Sequence, residues 1–484
     1  MRTSVHKQAA NRQPLLAYID LLPARRLILG GIHVLFLFVI LQLDGLDYSA
    51  KASLFAFLSA MTLWIGTTIP AGLTAAGLLV FLVLIKAANA DLLYQSMAEK
   101  VVWLMIGSFM IGEAVKQSGL SGRFSMAIME RARKKTQVLA GSTLVLFISA
   151  FFIPSTSGRA ALSMPIMKQL GSNFSAREKR TLAVLVPVVI LMSTSATLIG
   201  AGAHLIGVGL LEKTSGESIS FLQWMIWGAP FALVITAVSF VIITRLIWPA
   251  DSQEKSGTDG REKRRKQPFN AREKKTLIFI TALMGGWMTE GLHGYDTALI
   301  TIAGGILFML PRLGVISWKA GIEAVSWNLI LFVAAATALG QALVDSGVVE
   351  WMESGLFGGL SSLVHPPEWL IVLIILGVTV TSHLYITSHT TRAVVFIPSL
   401  LVLCQTVGAN PAAAVFLSLI GMNYCITFPV SSKALLLFYE DGDISYDAKQ
   451  LIKLSAVLMP LYIILMMVFY YTFWKWTGLD LNMG

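Results

Sequence analysis

Charge is what this sequence has least of. Asp, Glu, Lys and Arg make up only 13% of its 484 residues, against 55% apolar residues. A water-soluble chain of this length carries about twice that fraction of charge, so the composition excludes a soluble globular domain and points to a polytopic membrane protein. The length accommodates roughly 10 to 12 spans of about 20 residues each, with their loops. Cysteine is nearly missing as well. Cys404 and Cys425 each sit inside an apolar stretch, which excludes a disulfide framework and a cysteine-built metal centre. There is no HExxH, no P-loop, no nucleophile elbow and no protease-like pair of intramembrane aspartates, so an enzyme, including an intramembrane one, has no constellation to use. No cofactor is expected. The net charge of +10 lies mostly in short loops between apolar runs, where it sets topology and does not mark a nucleic-acid binder. About 26 polar and basic residues precede the first apolar run, with no small-residue cleavage site after it, so the N-terminus is read as cytoplasmic and the first span as retained.

Apolar runs place spans near 26–43, 51–68, 70–88, 101–119, 181–211, 228–248, 276–293, 297–311, 325–345, 411–438 and 453–474. Two more stretches, 136–172 and 369–406, are too long for one span, and each breaks at the same short phrase. Ser155-Thr156-Ser157-Gly158-Arg159-Ala160 returns 233 positions on (155 to 388) as Ser388-His389-Thr390-Thr391-Arg392-Ala393, and each copy is followed by a proline, Pro165 and Pro398. Lipid offers a bare backbone no water, so a non-helical tip survives at membrane depth only where it lines a cavity. Paired interruptions in corresponding places of two halves mark a transporter binding site.

Charge threads the hairpins. Arg131, Arg133, Lys134 and Lys135 precede the first, and Arg177, Lys179 and Arg180 follow it, so both of its ends are expected in the cytoplasm. Glu350, Glu353 and Glu368 precede the second, which is expected to open outside. The segment 249–275, with nine Lys/Arg, falls in the cytoplasm and the C-terminus outside, which gives an inverted-topology repeat in a plasma or inner membrane. The lead-ins also match, Gly112-Glu113-Ala114-Val115-Lys116-Gln117-Ser118-Gly119 against Gly340-Gln341-Ala342-Leu343-Val344-Asp345-Ser346-Gly347. Each hairpin is followed by an interrupted span, broken at Ser193–Gly202 and Thr427–Ser432.

The expected substrate site combines Ser155, Thr156, Ser157 and Arg159 with Thr194 and Thr197, and Ser388, His389, Thr390, Thr391 and Arg392 with Ser431 and Ser432. Hydroxyls and freed carbonyls also suit a dehydrated sodium ion, for which Ser155, Ser157, Gly200, Ser388, Thr390 and Thr427 are the candidates. Single serines and threonines in helices commonly just bond the preceding turn, but four clusters at matching positions go beyond that. An arginine inside an apolar segment is costly. Arg159 and Arg392 either grip a dianion at both ends through paired hydrogen bonds or pair with Glu113, Asp345, Glu323 or a carbonyl to fix the hairpin. His389, within a tip, can make binding depend on pH. His204 is a lone histidine in an apolar stretch and reads as a core residue, while Lys433 adds positive charge near the same depth. Glu113 and Lys116, at i and i+3, read as a structural ion pair.

These residues resemble the divalent anion/sodium symporter (DASS) family of the ion-transporter superfamily. Its repeated Ser-Asn-Thr hairpin motif is similar to Ser155-Thr156-Ser157 and Ser388-His389-Thr390. Ser218-Ile219-Ser220-Phe221-Leu222-Gln223-Trp224-Met225 looks like the family's amphipathic stretch before its sixth span, and Trp327 through Gly347 looks like its lead-in to the second repeat. The likeness runs over about 50–475. It implies an all-α protein of about eleven spans plus two re-entrant hairpins, a scaffold that forms a homodimer, and a transport domain moving as an elevator. The implied substrates are di- and tricarboxylates or sulfate, coupled to sodium or exchanged. The chain departs from the pattern at Thr156 and His389, which stand where the family has asparagine. Gly202-Ala203-His204 and Val430-Ser431-Ser432 replace its Pro-Pro-Asn, and the two arginines lie outside the minimal motif. Sodium, proton and exchange coupling therefore all stay open, as does an anion channel.

On this basis the chain divides into a cytoplasmic segment (1–25), scaffold helices (26–100) and a first repeat (101–248, hairpin 136–172, broken helix 181–211). A basic cytoplasmic linker (249–275), further scaffold helices (276–324), a second repeat (325–474, hairpin 369–406, broken helix 411–438) and an external tail (475–484) complete it. Expected partners are a small anion, the bilayer and a second copy of the chain.

Overall fold

The structure is a computed structural model that describes residues 23–120, 123, 132, 134–153, 155–249, 268–352 and 367–482. The first 22 residues, most of the basic linker, Arg131, Arg133 and Glu353, on which several topology expectations rest, lie outside the described residues. So does Pro154, next to the first tip. The chain is all-helical and falls into two compact units, one from residues 1–99 with 327–362 and the other from 100–326 with 363–484.

The first unit starts with α1 (Pro23–Leu41), α2 (Tyr48–Gly66), α3 (Ala71–Leu84) and α4 (Ala90–Ser96). The second unit holds α5 (Lys100–Ser118), the hairpin pair α6 (Lys135–Ser149) and α7 (Thr156–Leu170), α8 (Ala176–Ser193) and α9 (Gly202–Ser215). It continues with α10 (Phe221–Leu246), α11 (Ala271–Met288), α12 (Glu290–His293), α13 (Thr297–Met309) and α14 (Trp318–Glu323). The chain then returns to the first unit for α15 (Trp327–Asp345) and α16 (Val348–Met352). The second hairpin, α17 (Glu368–Thr381) and α18 (His389–Val407), is followed by α19 (Pro411–Met422), α20 (Lys433–Tyr439) and α21 (Ala448–Phe469), all in the second unit. Sequence patterning places α15 with the second repeat, yet it packs on α2, α3 and α4. Gly72 of α3 sits so close to it that a Cβ there would lie 2.8 Å from Asn328 O, and Trp64 of α2 meets Phe332 edge to face at 5.3 Å.

Helix starts follow capping chemistry more closely than they follow hydropathy. Ser175 with Glu178, Ser220 with Gln223 and Asn270 with Glu273 form capping boxes that start α8, α10 and α11. The span expected from 228 therefore begins seven residues earlier (228 − 221), because a cap satisfies free amides whether or not the first turn is apolar. Among the described residues, five helical segments are long and apolar enough to cross a membrane on their own: Tyr48–Gly66, Ala176–Ala196, Phe221–Leu246, Trp327–Asp345 and Ala448–Thr477. Several of the others are shorter, and among them are the four hairpin helices, which each have to reach only to a tip.

Close approach of backbones organises the second unit. A Cβ on Gly107 of α5 would lie 2.8 Å from Thr301 O of α13, so these helices touch through small residues as membrane helices commonly do. Ion pairs hold the hairpins at their bases. Lys135, at the start of α6, meets Glu178 of the α8 capping box at 2.9 Å, with the two side chains 11% and 2% exposed. At the far end of α7, Lys168 holds Asp441 at 2.7 Å. Burial alone would raise that carboxyl, but Lys168 and the amides of Ile444 and Asp443 keep it below the usual carboxylate range. Glu368, at the start of α17, accepts from the Tyr470 hydroxyl and from Lys475. Glu178→Ala removes the acid from both the cap and the buried pair. It is expected to lower stability by about 3 kcal/mol, read as an earlier thermal transition of the detergent-solubilised protein.

Candidate functional site

Both tips are built by the same local chemistry. Ser155 precedes α7 in extended conformation, and its hydroxyl accepts from the Gly158 amide (3.1 Å) and faces Ser157 Oγ (3.1 Å). Ser388 does the same for α18, accepting from the Thr391 amide (3.2 Å) and facing Thr390 Oγ1 (3.1 Å). The serine is an N-cap in each half, and the repeated phrase is a helix start read twice.

The interrupted helices match as closely. After α8 the chain passes through the tight turn Thr194–Ala196, the extended residue Thr197, a 3-10 turn Leu198–Gly200 and the extended residue Ala201 before α9 begins. In the second half, extended Phe428, a 3-10 turn Pro429–Ser431 and extended Ser432 precede α20. Gly200 and Ser431 therefore occupy corresponding positions. Gly200 cannot carry a side chain, since a Cβ would lie 2.3 Å from Thr194 O.

Each arginine crosses from its hairpin to the break of its own half. Arg159, 1% exposed, donates from Nη1 to Ser193 Oγ (2.9 Å) and from Nη2 to Ile190 O (3.0 Å) and Thr194 Oγ1 (2.6 Å). Arg392, fully buried, donates from Nη1 to Met422 O (2.8 Å), with longer contacts to Ser382 Oγ and Tyr424 O. Of the two arrangements open from sequence, the structure contains pairing to carbonyls and hydroxyls. Neither arginine makes an ion pair among the described residues. Glu113 instead takes Lys116 (3.1 Å) and Gln117 (2.9 Å) on its own helix, while Asp345 takes Gln341 in the first unit. Arg159 Nε and Arg392 Nε and Nη2 are buried donors without a hydrogen-bond partner, and His389 Nε2 is a buried ring nitrogen likewise without one. Two guanidinium charges thus sit inside the protein on neutral acceptors, with donor capacity left over. A buried charge without a counter-charge is destabilising by several kcal/mol, and an anion is what offsets it.

The remaining expected residues fall into two groups. Ser155, Ser157 and Gly158 line a cavity of about 560 Å³ together with Glu113, Lys116 and Glu323; Thr194 and Thr197 are not in its wall. Thr197 is buried and donates to Ala150 O just before the first tip. In the second half Thr427 lies 2.6 Å from both His383 Nε2 and Ser455 Oγ, Ser432 caps α20, and Ser431 Oγ is buried and unpartnered. Lys433 is exposed. The halves meet where His389 stands edge-on to His204 at 6.3 Å. His204 is the buried core residue expected of it, and the partner that satisfies its Nε2, at 2.9 Å, is Asn423, 219 positions away. Asn423, His383, Ser382 and Ser455 hydrogen-bond to the expected residues, and sequence reading misses them. The available signal was an amide at the end of an apolar run, and a Ser-His pair shortly before the tip.

An all-helical chain with duplicated hairpin tips and duplicated helix breaks is a multi-pass membrane transporter. The family described as the sodium:sulfate symporter transmembrane region matches residues 24–479, and the chain belongs to that family. A sodium-dependent dicarboxylate transporter SdcS of Staphylococcus saprophyticus is 21% identical over 92% of this chain and 90% of its own length. Its counterpart in Staphylococcus aureus is 22% identical over 94% and 92%. A protein described only as a membrane protein, from Cupriavidus necator, is 26% identical over 78% of this chain and 74% of its own length. The crystal structure of the YdaH transporter of Alcanivorax borkumensis shares the fold, with a TM-score of 0.59 at 13% identity over 88% of this chain and 99% of that one. The named relatives are transporters, and the resemblance carried by the hairpin motifs stands.

Proposed function

We propose that this protein is a secondary active transporter of small divalent organic anions, di- or tricarboxylates, working by sodium-coupled symport or by anion exchange. The observation that carries the reading is the pair of buried arginines, Arg159 and Arg392, whose partners are neutral and whose free donors have no protein acceptor. The dianion is held between the tips (Ser155, Thr156, Ser157; Ser388, His389, Thr390, Thr391) and the breaks (Thr194, Thr197; Ser431, Ser432). The arginines supply the field and brace each tip against its break. Ser155, Ser157, Gly200, Ser388, Thr390 and Thr427 offer the hard oxygen donors that sodium takes. The dicarboxylate named for the SdcS relatives and the sodium in the family's description support this assignment. An elevator-type movement, in a homodimer with a cytoplasmic N-terminus and an external C-terminus, belongs to the same proposal; the division of the chain into two compact units supports the elevator alone. Sulfate is the second reading, favoured by the family's description.

Labelled succinate, citrate and sulfate are to be offered to liposomes holding the purified protein, with an inward sodium gradient and, separately, with the same anion preloaded. The expected result is saturable succinate uptake that either needs the sodium gradient or is stimulated by internal succinate. Uptake that never saturates and ignores internal anion means a channel; saturable uptake of sulfate alone moves the assignment to the inorganic oxyanion.

A further inference from the structure

His204 lies just past the break of the first half, fully buried, with both ring nitrogens engaged. Nδ1 is 3.2 Å from Thr197 O, and Nε2 is 2.9 Å from the side-chain amide of Asn423, at the break of the second half. The other end of that amide is 2.8 Å from Ser195 Oγ, back in the first break. Trp224 covers the ring at 4.4 Å and anchors itself by donating to Ser195 O.

The proton inventory of this centre is unusual. A backbone carbonyl only accepts, so Nδ1 keeps its hydrogen in every state. In the neutral ring Nε2 accepts, so Asn423 turns its NH2 to the ring and takes the Ser195 hydroxyl hydrogen on Oδ1. In the cationic ring Nε2 donates to Oδ1, and the amide NH2 points at Ser195 Oγ. One half-turn of the amide satisfies both states, although all three side chains are at most 1% exposed. A histidine kept for packing needs partners in one state only.

We infer that the His204–Asn423–Ser195 centre binds a proton that is carried together with the anion; this rests on the transport reading above. The groups facing the ring set the linkage. Arg159 of α7 bears on it electrostatically, and α18 presents His389, on which Arg392 bears in turn. From α10 comes Trp224 and from the end of α19 comes Asn423, followed by Tyr424 and Cys425. α5 meets α9 through Lys100 and Glu212 near the opposite end of α9. Two guanidinium charges oppose a second ring proton while no anion is present, and a dianion reverses that balance. Each of the two ligands then binds better when the other is bound. The proton comes from water on the side where the anion binds, sits on Nε2, and leaves to water on the other side.

The test uses the full chain in liposomes with a pH-sensitive dye inside and the membrane potential clamped. Fumarate and sulfate are offered in parallel, since both are fully ionised near neutral pH and cannot carry the proton themselves. The expected result is acidification of the lumen in step with labelled-anion uptake, about one proton per anion on this linkage. His204→Gln, which cannot titrate, is expected to lower that ratio at least tenfold and to flatten the pH dependence of uptake. Anion accumulation without acidification in the unmodified protein overturns the inference and leaves the transport reading intact. So does acidification that survives His204→Gln but vanishes in His389→Gln or His383→Gln. No movement of either anion overturns both.

Discussion

Arg392→Met is expected to cut anion uptake about 100-fold, equivalent to ~2.7 kcal/mol, while the protein stays folded in the membrane. The charge is fully buried and its partners are a hydroxyl and two carbonyls. At about 6 Å in a medium of effective dielectric about 20, each charge of a dianion gains roughly 3 kcal/mol from one guanidinium. Methionine fills similar apolar volume and removes that gain. It leaves the Met422 and Tyr424 carbonyls without this donor, a loss of about 1–3 kcal/mol. It also removes a buried charge that has no ion-pair partner among the described residues, so the two effects on stability oppose each other. Arg392→Lys is expected to restore little, because an ammonium cannot reach several acceptors in one plane. Arg159→Met should behave alike, with its loss felt at Ser193, Thr194 and Ile190. The check is initial uptake per correctly folded molecule, with stabilisation by added anion measured in the same preparations. Uptake within about threefold of the unmodified protein in both variants, an effect of under ~1 kcal/mol, would remove the arginines from the anion's binding energy.

A larger effect on folding is expected from Gly228→Ala in α10. A Cβ there would lie 2.1 Å from Ser195 O, and that oxygen is backbone, held in the first break where Trp224 Nε1 also donates to it. No side-chain rotation relieves such a contact. Either α10 moves away or the break is rebuilt, and overpacking of this kind destabilises by about 3 kcal/mol or more. The expected outcome is loss of monodisperse protein on gel filtration and of uptake together. Gly377→Ala is the control, because nothing lies within 4 Å of a Cβ at that position of α17. If both variants behave like the unmodified protein, the close approach of α10 to the break is not needed for the fold.

Much of this architecture is legible along the chain. The two hairpins turn at the duplicated phrase, with α6–α7 over 135–170 and α17–α18 over 368–407 against the stretches 136–172 and 369–406, and the breaks fall where small and hydroxylated residues interrupt apolar runs. Such features are local. A serine three residues before a free amide caps it, and a run of apolar residues seeks lipid or core, whatever the distant chain does. The scarcity of charge and the repeat also give the class, a polytopic membrane transporter, from the sequence alone, and the hairpin motifs carry the resemblance to the family.

Partnership across the chain was decided only in three dimensions. Nothing local tells Arg159 to choose Thr194 and the Ile190 carbonyl over Glu113, since the choice depends on which surface the hairpin meets. Nor does the sequence around His204 announce Asn423, or show that α15 packs with the first helices of the chain while α13 packs on α5. The sequence by itself determined a duplicated, membrane-spanning helical transporter with hydroxylated tips. The tertiary structure decided that both arginines are buried on neutral oxygens and that the breaks are joined through His204, Asn423 and Ser195. The physical reason is that capping and hydropathy act within a turn or a span. Hydrogen bonds between side chains hundreds of residues apart exist only once the backbones have been brought within a few ångströms.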